Sequence, residues 1–234
     1  VLGRRQGAWR PGRRSELIEL FDREFIEPQE AVGLHVLGQF RDLDRADRWV
    51  WLRGFADVEG RASALAAFYD GPVWRAHHDA ANATMIDASD VRLLRPAWPG
   101  ADAGLAGRHR APGPVRDGRP GLLDVRVVPL HGAAPAALLH TCRAEVLPAL
   151  AAHGGEVIGC HITDPTPNAY PRLPVREGEQ VLVLFTLFAD AAAHAAFVES
   201  DAWAREVAPC LAPWCAGDVQ ALRLVPTARS AIHA

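Results

Sequence analysis

The sequence predicts an α+β protein of two similar halves whose sheets pack face to face as one barrel within a single chain. Three observations carry this expectation. Strand-like runs with two-residue alternation and helix-like runs with 3.6-residue periodicity occur in the same order twice. Matches between the halves fall at slowly drifting offsets, the mark of an internal repeat. Arg23 and Ile26-Glu27-Pro28 match Arg143 and Val146-Leu147-Pro148 at an offset of 120, and Leu37-Gly38 matches Ile158-Gly159 at 121. Trp51 to Phe55 lines up with Leu184 to Phe188 at 133, Phe68 to Trp74 with Phe197 to Trp203 at 129, and Leu94 to Pro96 with Leu224 to Pro226 at 130. Finally, residues 98–120 hold five Gly, four Pro and four Arg, and read as a linker. Each half has the order β-α-β-β-α-β, the tandem ferredoxin-like pattern, with its helices on one sheet face. The bare face needs cover, which the other half supplies. The boundaries that follow are 1–97, the linker 98–120, 121–226 and a C-terminal tail at 227–234.

Taken in order, residues 1–10 make a poor strand, because Gly3, Gly7 and scattered Arg residues interrupt it. Pro11-Gly12 turns the chain into a helix over about 15–27, with Leu17, Leu20, Phe21 and Phe25 on one stripe. Residues 33–40 alternate as a strand, with Leu34, Val36 and Phe40 as the apolar set and His35, Leu37 and Gln39 opposite. A charged turn leads to a third strand, Trp49 to Phe55. Here Trp49, Trp51, Arg53 and Phe55 share one face and Val50, Leu52 and Gly54 the other. The small set suits packing under a helix; the large set suits a cavity wall or an interface, facing the other sheet together with His35 and Gln39. Helices follow over 58–69 and after Gly71-Pro72, then a closing strand at 91–96. The second half repeats this with strands at 122–128, 157–163, 181–188 and 219–225, and helices over 133–152, 191–199 and 202–211.

Composition narrows the chemistry. All 25 basic residues of the 234 are Arg and none is Lys, which removes Schiff-base chemistry and the phosphate loop that needs a Lys. The net charge of −3 gives no broad reason to bind nucleic acid or an anionic membrane. No apolar run is long enough for a membrane helix and no hydrophobic signal segment opens the chain, so a cytoplasmic protein is expected. The four cysteines form no CxxC pair and read as buried or incidental thiols. No nucleophile elbow, GxGxxG or HExxH appears, so neither a cofactor nor a metal is expected.

Certain stretches are familiar. Arg10-Pro11-Gly12-Arg13 ahead of a helix, Phe40 to Leu43, Val50 to Phe55, and Phe68-Tyr69 followed by Pro72 to His77 resemble the NIPSNAP family. The motif match spans about 10–96; over 121–226 only the repeat carries it. The resemblance implies the fold of the dimeric α+β barrel proteins, a group that includes small cofactor-free monooxygenases and dechlorinating or isomerising enzymes. It implies no single reaction, and it leaves homodimerisation open.

The candidate ligand-binding residues are Trp49, Trp51, Arg53, Phe55 and Gln39. They suit a small apolar or aromatic molecule held between the sheets, with Arg53 pairing an anionic group. If Arg53 instead pairs with a protein carboxylate, the same residues are core fill and the protein is a scaffold. His35 and His77 are the candidates for proton transfer, as a cofactor-independent monooxygenase or isomerase requires. His77-His78-Asp79 is no metal site, because adjacent helical residues diverge by about 100°.

Overall fold

The two-residue period of eight segments is realised as β1 (Leu2–Trp9), β2 (His35–Asp42), β3 (Arg48–Gly54), β4 (Met85–Pro96), β5 (Leu122–Pro129), β6 (Glu156–Thr163), β7 (Val181–Phe188) and β8 (Gln220–Pro226). These positions come from a computed structural model that describes residues 2–9, 11–106, 108, 110 and 120–234. Arg14–Leu20, a π turn at Phe21–Phe25 and Ile26–Ala31 run together as α1. Next come α2 (Val58–Tyr69), α3 (Pro72–Thr84) and the short α4 (Ala103–Ala106). The helix α5 joins Ala136–Thr141, a π turn at Cys142–Val146 and Leu147–Ala152. After α6 (Ala191–Glu199), α7 joins a π turn at Trp203–Val207 to Ala208–Leu211. Local chemistry sets several of these ends. Asp57 caps α2 by accepting from the Gly60 amide at 2.6 Å, and Asp190 caps α6 by accepting from Ala193 at 2.8 Å. Gly33 (φ 91°) and Gly154 (φ 81°) take the left-handed conformation that ends α1 and α5 before β2 and β6.

The strands form one closed antiparallel barrel in the order β1-β3-β2-β8-β5-β7-β6-β4. In the first half β1 lies between β3 and β4, and in the second half β5 lies between β7 and β8. Two short seams, β2 with β8 and β4 with β6, close the ring. The linker region is less separate than its composition suggests. Leu105 of α4 is 2% exposed and packs into the barrel core. The C-terminal residues return as well: Ile232 is buried in that core, and the Gln39 amide donates to Ser230 Oγ at 3.3 Å.

Three apolar clusters divide the fold. The barrel interior holds Val50, Leu52, Phe40, Val125, Val183, Phe185 and Leu224, among others. The other two lie between the barrel wall and the helices of each half, and Trp49, Trp51 and Phe55 belong to the first-half cluster with Phe21, Phe25 and Phe68. The faces of β3 are therefore the reverse of the sequence expectation. Inside an eight-stranded barrel there is room only for side chains that just meet, which suits Val and Leu. Two indoles need the deeper layer under the helices.

The face assignment of β2 also changes, for a different reason. The ladder with β3 slips between Val36 and Gly38, so a β-bulge at Leu37 shifts the alternation by one residue. Leu34 and Val36 point to the helices, and Leu37 and Phe40 to the barrel. Gln39 ends on the helix side, opposite Trp51 in the ladder, while His35 and Leu37 leave that face.

Candidate functional site

Beneath α1, α2 and α3 the outer face of β3 borders a cavity of about 120 Å³. Its walls are mainly aromatic: Phe21, Phe25, Trp49, Trp51, Phe68 and Trp74. Trp49 and Trp51 stack with centroids 4.5 Å apart, and Phe21 meets Trp49 edge-on at 4.9 Å. Arg53 enters this wall. It is only 6% exposed, and its guanidinium carbon lies 5.6 Å from the Trp51 ring centroid. Its Nε has no hydrogen-bond partner, and among the described residues no carboxylate lies within 4.0 Å of it. A narrow extension shares Trp51, Arg53 and Leu173 with the cavity and adds Phe55 and Arg61. Arg61 is buried too and donates to Asn168 Oδ1 at 2.9 Å.

The structure thus gathers Trp49, Trp51, Arg53 and Phe55 into one place and leaves the remaining candidates outside it. Gln39 donates to Asp22 Oδ1 at 3.2 Å, on the helix side but away from the cavity wall. Burial pushes that Asp22 carboxyl up to about 6, against the pull of Arg229 and Arg110. His77 sits 3.5 Å from the Glu24 carboxylate and edge-on to Phe25, and does not line the cavity. His78 pairs with Asp79 at 3.1 Å on the surface. His35 lines a different cavity altogether. Among the described residues, no three His, Cys, Asp or Glu side chains converge as metal ligands. All four cysteines are free thiols; Cys142 and Cys160 are buried neighbours under α5.

That different cavity, about 740 Å³, opens at the barrel end where β3 finishes at Gly54. Leu2, Leu37, Leu105 and Ala231 line it, and so does His161 of β6. His161 is 1% exposed, edge-on to Phe185 at 5.4 Å, and burial lowers its pKa to about 4 while Asp102 opposes the shift. The sequence pattern misses this residue. The ladder of β6 slips between Val157 and Gly159, so Ile158 points into the barrel, Cys160 to the helices, and His161 inward again. The available signal was the match of Ile158-Gly159 to Leu37-Gly38: two Gly residues at matched places in matched strands are where bulges form.

No family model matches this chain, and no curated protein sequence does. Solved structures do. A "putative monooxygenase" from Lactobacillus acidophilus NCFM overlays 100% of this chain and 98% of its own at a TM-score of 0.59, with 13% identity. An anthrone oxidase-like protein overlays 100% and 95% at 0.54, with 14% identity. An uncharacterized NIPSNAP domain protein from Burkholderia xenovorans covers 42% of this chain and 95% of its own, at 0.37 and 15% identity, an overlay too loose to argue from. The chain shares the fold of the first two structures, an eight-stranded antiparallel barrel packed against helices. In this α+β barrel, among the described residues, no helix is long and apolar enough to cross a membrane.

Acid should destabilise the fold through His161. Its ordinary pKa of 6.5 applies when the chain unfolds, and about 4 when it is folded. The unfolded state then binds the proton more readily, so stability is full above about pH 6.5 and falls as the pH drops toward 4. The loss amounts to about 3 kcal/mol. Asp22 works the other way, because its carboxyl is raised to about 6 in the folded chain, so the His161 contribution is read by difference: between pH 7 and pH 4 in urea melts, His161→Phe should lose about 3 kcal/mol less than the parent.

Proposed function

We propose that this protein binds a small aromatic or apolar molecule carrying one anionic group, in the cavity beneath α1, α2 and α3. The observation that carries the reading is Arg53: a buried guanidinium without a carboxylate beside it, facing an aromatic cavity. An uncompensated buried charge is costly, and a bound anion removes that cost. This location replaces the expected one between the sheets, since the Trp49 face lies under the helices. An apolar cavity of about 150 Å³ holds one benzene ring, so about 120 Å³, with about 20 Å³ more in the extension, makes a single ring the upper limit of size. The scaffold reading loses ground, because it required Arg53 to be paired within the protein.

Benzoate tests this. Calorimetry should give saturable binding that weakens roughly 10- to 100-fold in Arg53→Met, the worth of a hydrogen bond to a charged group. An affinity unchanged in that variant would sink the assignment.

The monooxygenase reading takes support from the names of two structural neighbours that overlay the whole chain, at identities that speak for fold; no name among them supports the isomerase reading. Proton transfer needs an ionisable group at the ligand. Among the described lining residues there is no His and no carboxylate, and the Tyr69 hydroxyl is the one candidate acid or base. Binding is therefore the better supported function, with oxygen uptake in the presence of a bound phenol as the deciding assay for catalysis. For the architecture, we propose a tandem duplication of ferredoxin-like units of the NIPSNAP type. Its support is that the π turns at Phe21–Phe25 and Cys142–Val146, the glycines Gly33 and Gly154, and the bulges beside Gly38 and Gly159 are each 121 residues apart. The barrel closes within one chain, so a homodimer would use an outer surface.

A further inference from the structure

The cavity at the barrel end is separate from the Arg53 site, and its polar features point to a different ligand. The arginines that line the cavity are already matched, and Asp102 adds a further carboxylate. Arg110 pairs with Glu30 at 2.8 Å, Arg108 with Glu156 at 2.9 Å, and Arg229 with Glu27. The same arginines also donate to the backbone carbonyls of His233, Val36 and Asp22. They fix residues 108 and 110 and the C-terminal residues at the barrel end, leaving little positive charge for an anion. The rest of the wall includes Leu2, Leu37, Leu105 and Ala231, with His35, Asp102 and His161 as its other polar side chains.

No hydrogen bond reaches either ring nitrogen of His161 among the described residues, and Nδ1 is sealed from solvent. A Cβ placed on Gly159 would come within 2.9 Å of His161 Cε1 and 3.1 Å of Nδ1, so that edge of the ring lies against the strand. Nε2 is left as the ring nitrogen that meets the cavity. A sealed N–H without an acceptor is the rarer and costlier arrangement, so the proton belongs on Nε2 and the lone pair on Nδ1. We propose that the barrel end is a second binding site, for a neutral and largely apolar molecule that presents a carbonyl or quinone oxygen to the Nε2–H of His161. The volume falls within the range of small-molecule sites and exceeds what one ring needs.

The probes are 9-fluorenone, a planar ketone unreactive toward thiols, and fluorene, which lacks the oxygen. With the full chain, fluorenone should bind saturably and about 5- to 10-fold tighter than fluorene, the worth of one neutral hydrogen bond. That preference should vanish in His161→Phe and persist in Arg53→Met. In the parent protein, nitrogen NMR should show the His161 proton on Nε2 and its resonance moving when fluorenone is added. The NMR result stands even if the His161 variant fails to fold. Absence of saturable binding, a preference that survives His161→Phe or disappears in Arg53→Met, or a proton on Nδ1 would each overturn the proposal.

Discussion

Replacing Asp90 by Asn is expected to remove about 3 kcal/mol of stability, the cost of leaving charged donors, the fully buried Arg4 among them, short of an acceptor. Asp90 accepts from Arg92 at 2.7 Å and Arg176 at 2.8 Å, and lies 4.0 Å from Arg4. Glu179 binds Arg92 and Arg176 from the other side, at 2.9 and 2.8 Å. Arg4 shares the inward face of β1 with Leu2 and is fully buried; burial, then the charge of Arg92, lowers its pKa to about 10, so it stays charged at neutral pH. Asparagine keeps the shape but takes a carboxylate charge away from Arg4, Arg92 and Arg176. The logic has a sign that can be checked. Adding Arg4→Met to Asp90→Asn removes one charge of each sign, returning the local net charge to that of the parent, and should recover part of the loss. Urea titrations of the two variants decide it; a double variant worse than the single one would contradict the account.

A loss of similar size, about 3–5 kcal/mol, is expected for Asp124→Asn in the second half. Asp124 is 2% exposed on the outer face of β5. It accepts two hydrogen bonds from Arg126, at 2.6 and 2.9 Å, and its Oδ2 lies 2.9 Å from His194 Nε2. Arg126 in turn lies over the Trp203 ring at 4.5 Å, and His194 packs edge-on to Phe188. An amide keeps one acceptor oxygen and sets an N–H₂ group against donors. Thermal melts should show a smaller loss for Asp124→Leu combined with Arg126→Leu, because a pair removed together leaves no stranded charge.

How far the residues themselves foretold this structure depends on the kind of information each carries. Periodicity located the strands and helices well, since it follows directly from backbone geometry. The strand at 1–10 seemed too interrupted, yet β1 forms because it is paired on both sides, with β3 and β4. β4 starts at Met85, six residues before the expected Val91, for the same reason. Direction was harder to read. Which face of β3 looks inward depends on the space available on each side, and the aromatics of α1 to α3 that welcome Trp49 and Trp51 lie elsewhere in the chain. Bulges are the other limit: one unpaired residue beside Gly38 or Gly159 reverses everything after it, which is how His161 escaped notice. Arg53 was legible as a cation needing a partner, but its lack of one is a three-dimensional fact.

The ring of strands has a bearing on assembly. The seams β2–β8 and β4–β6 are only three residue pairs each and both include a proline, Pro226 in one and Pro96 in the other. Seams that thin would be weak joints between separate molecules meeting by collision. Here both partners are tethered to each other, so each closes at a high local concentration fixed by the chain and not by the solution. Dilution leaves such a ring shut, and a low-abundance protein of this design keeps its interior cavity as reliably as an abundant one.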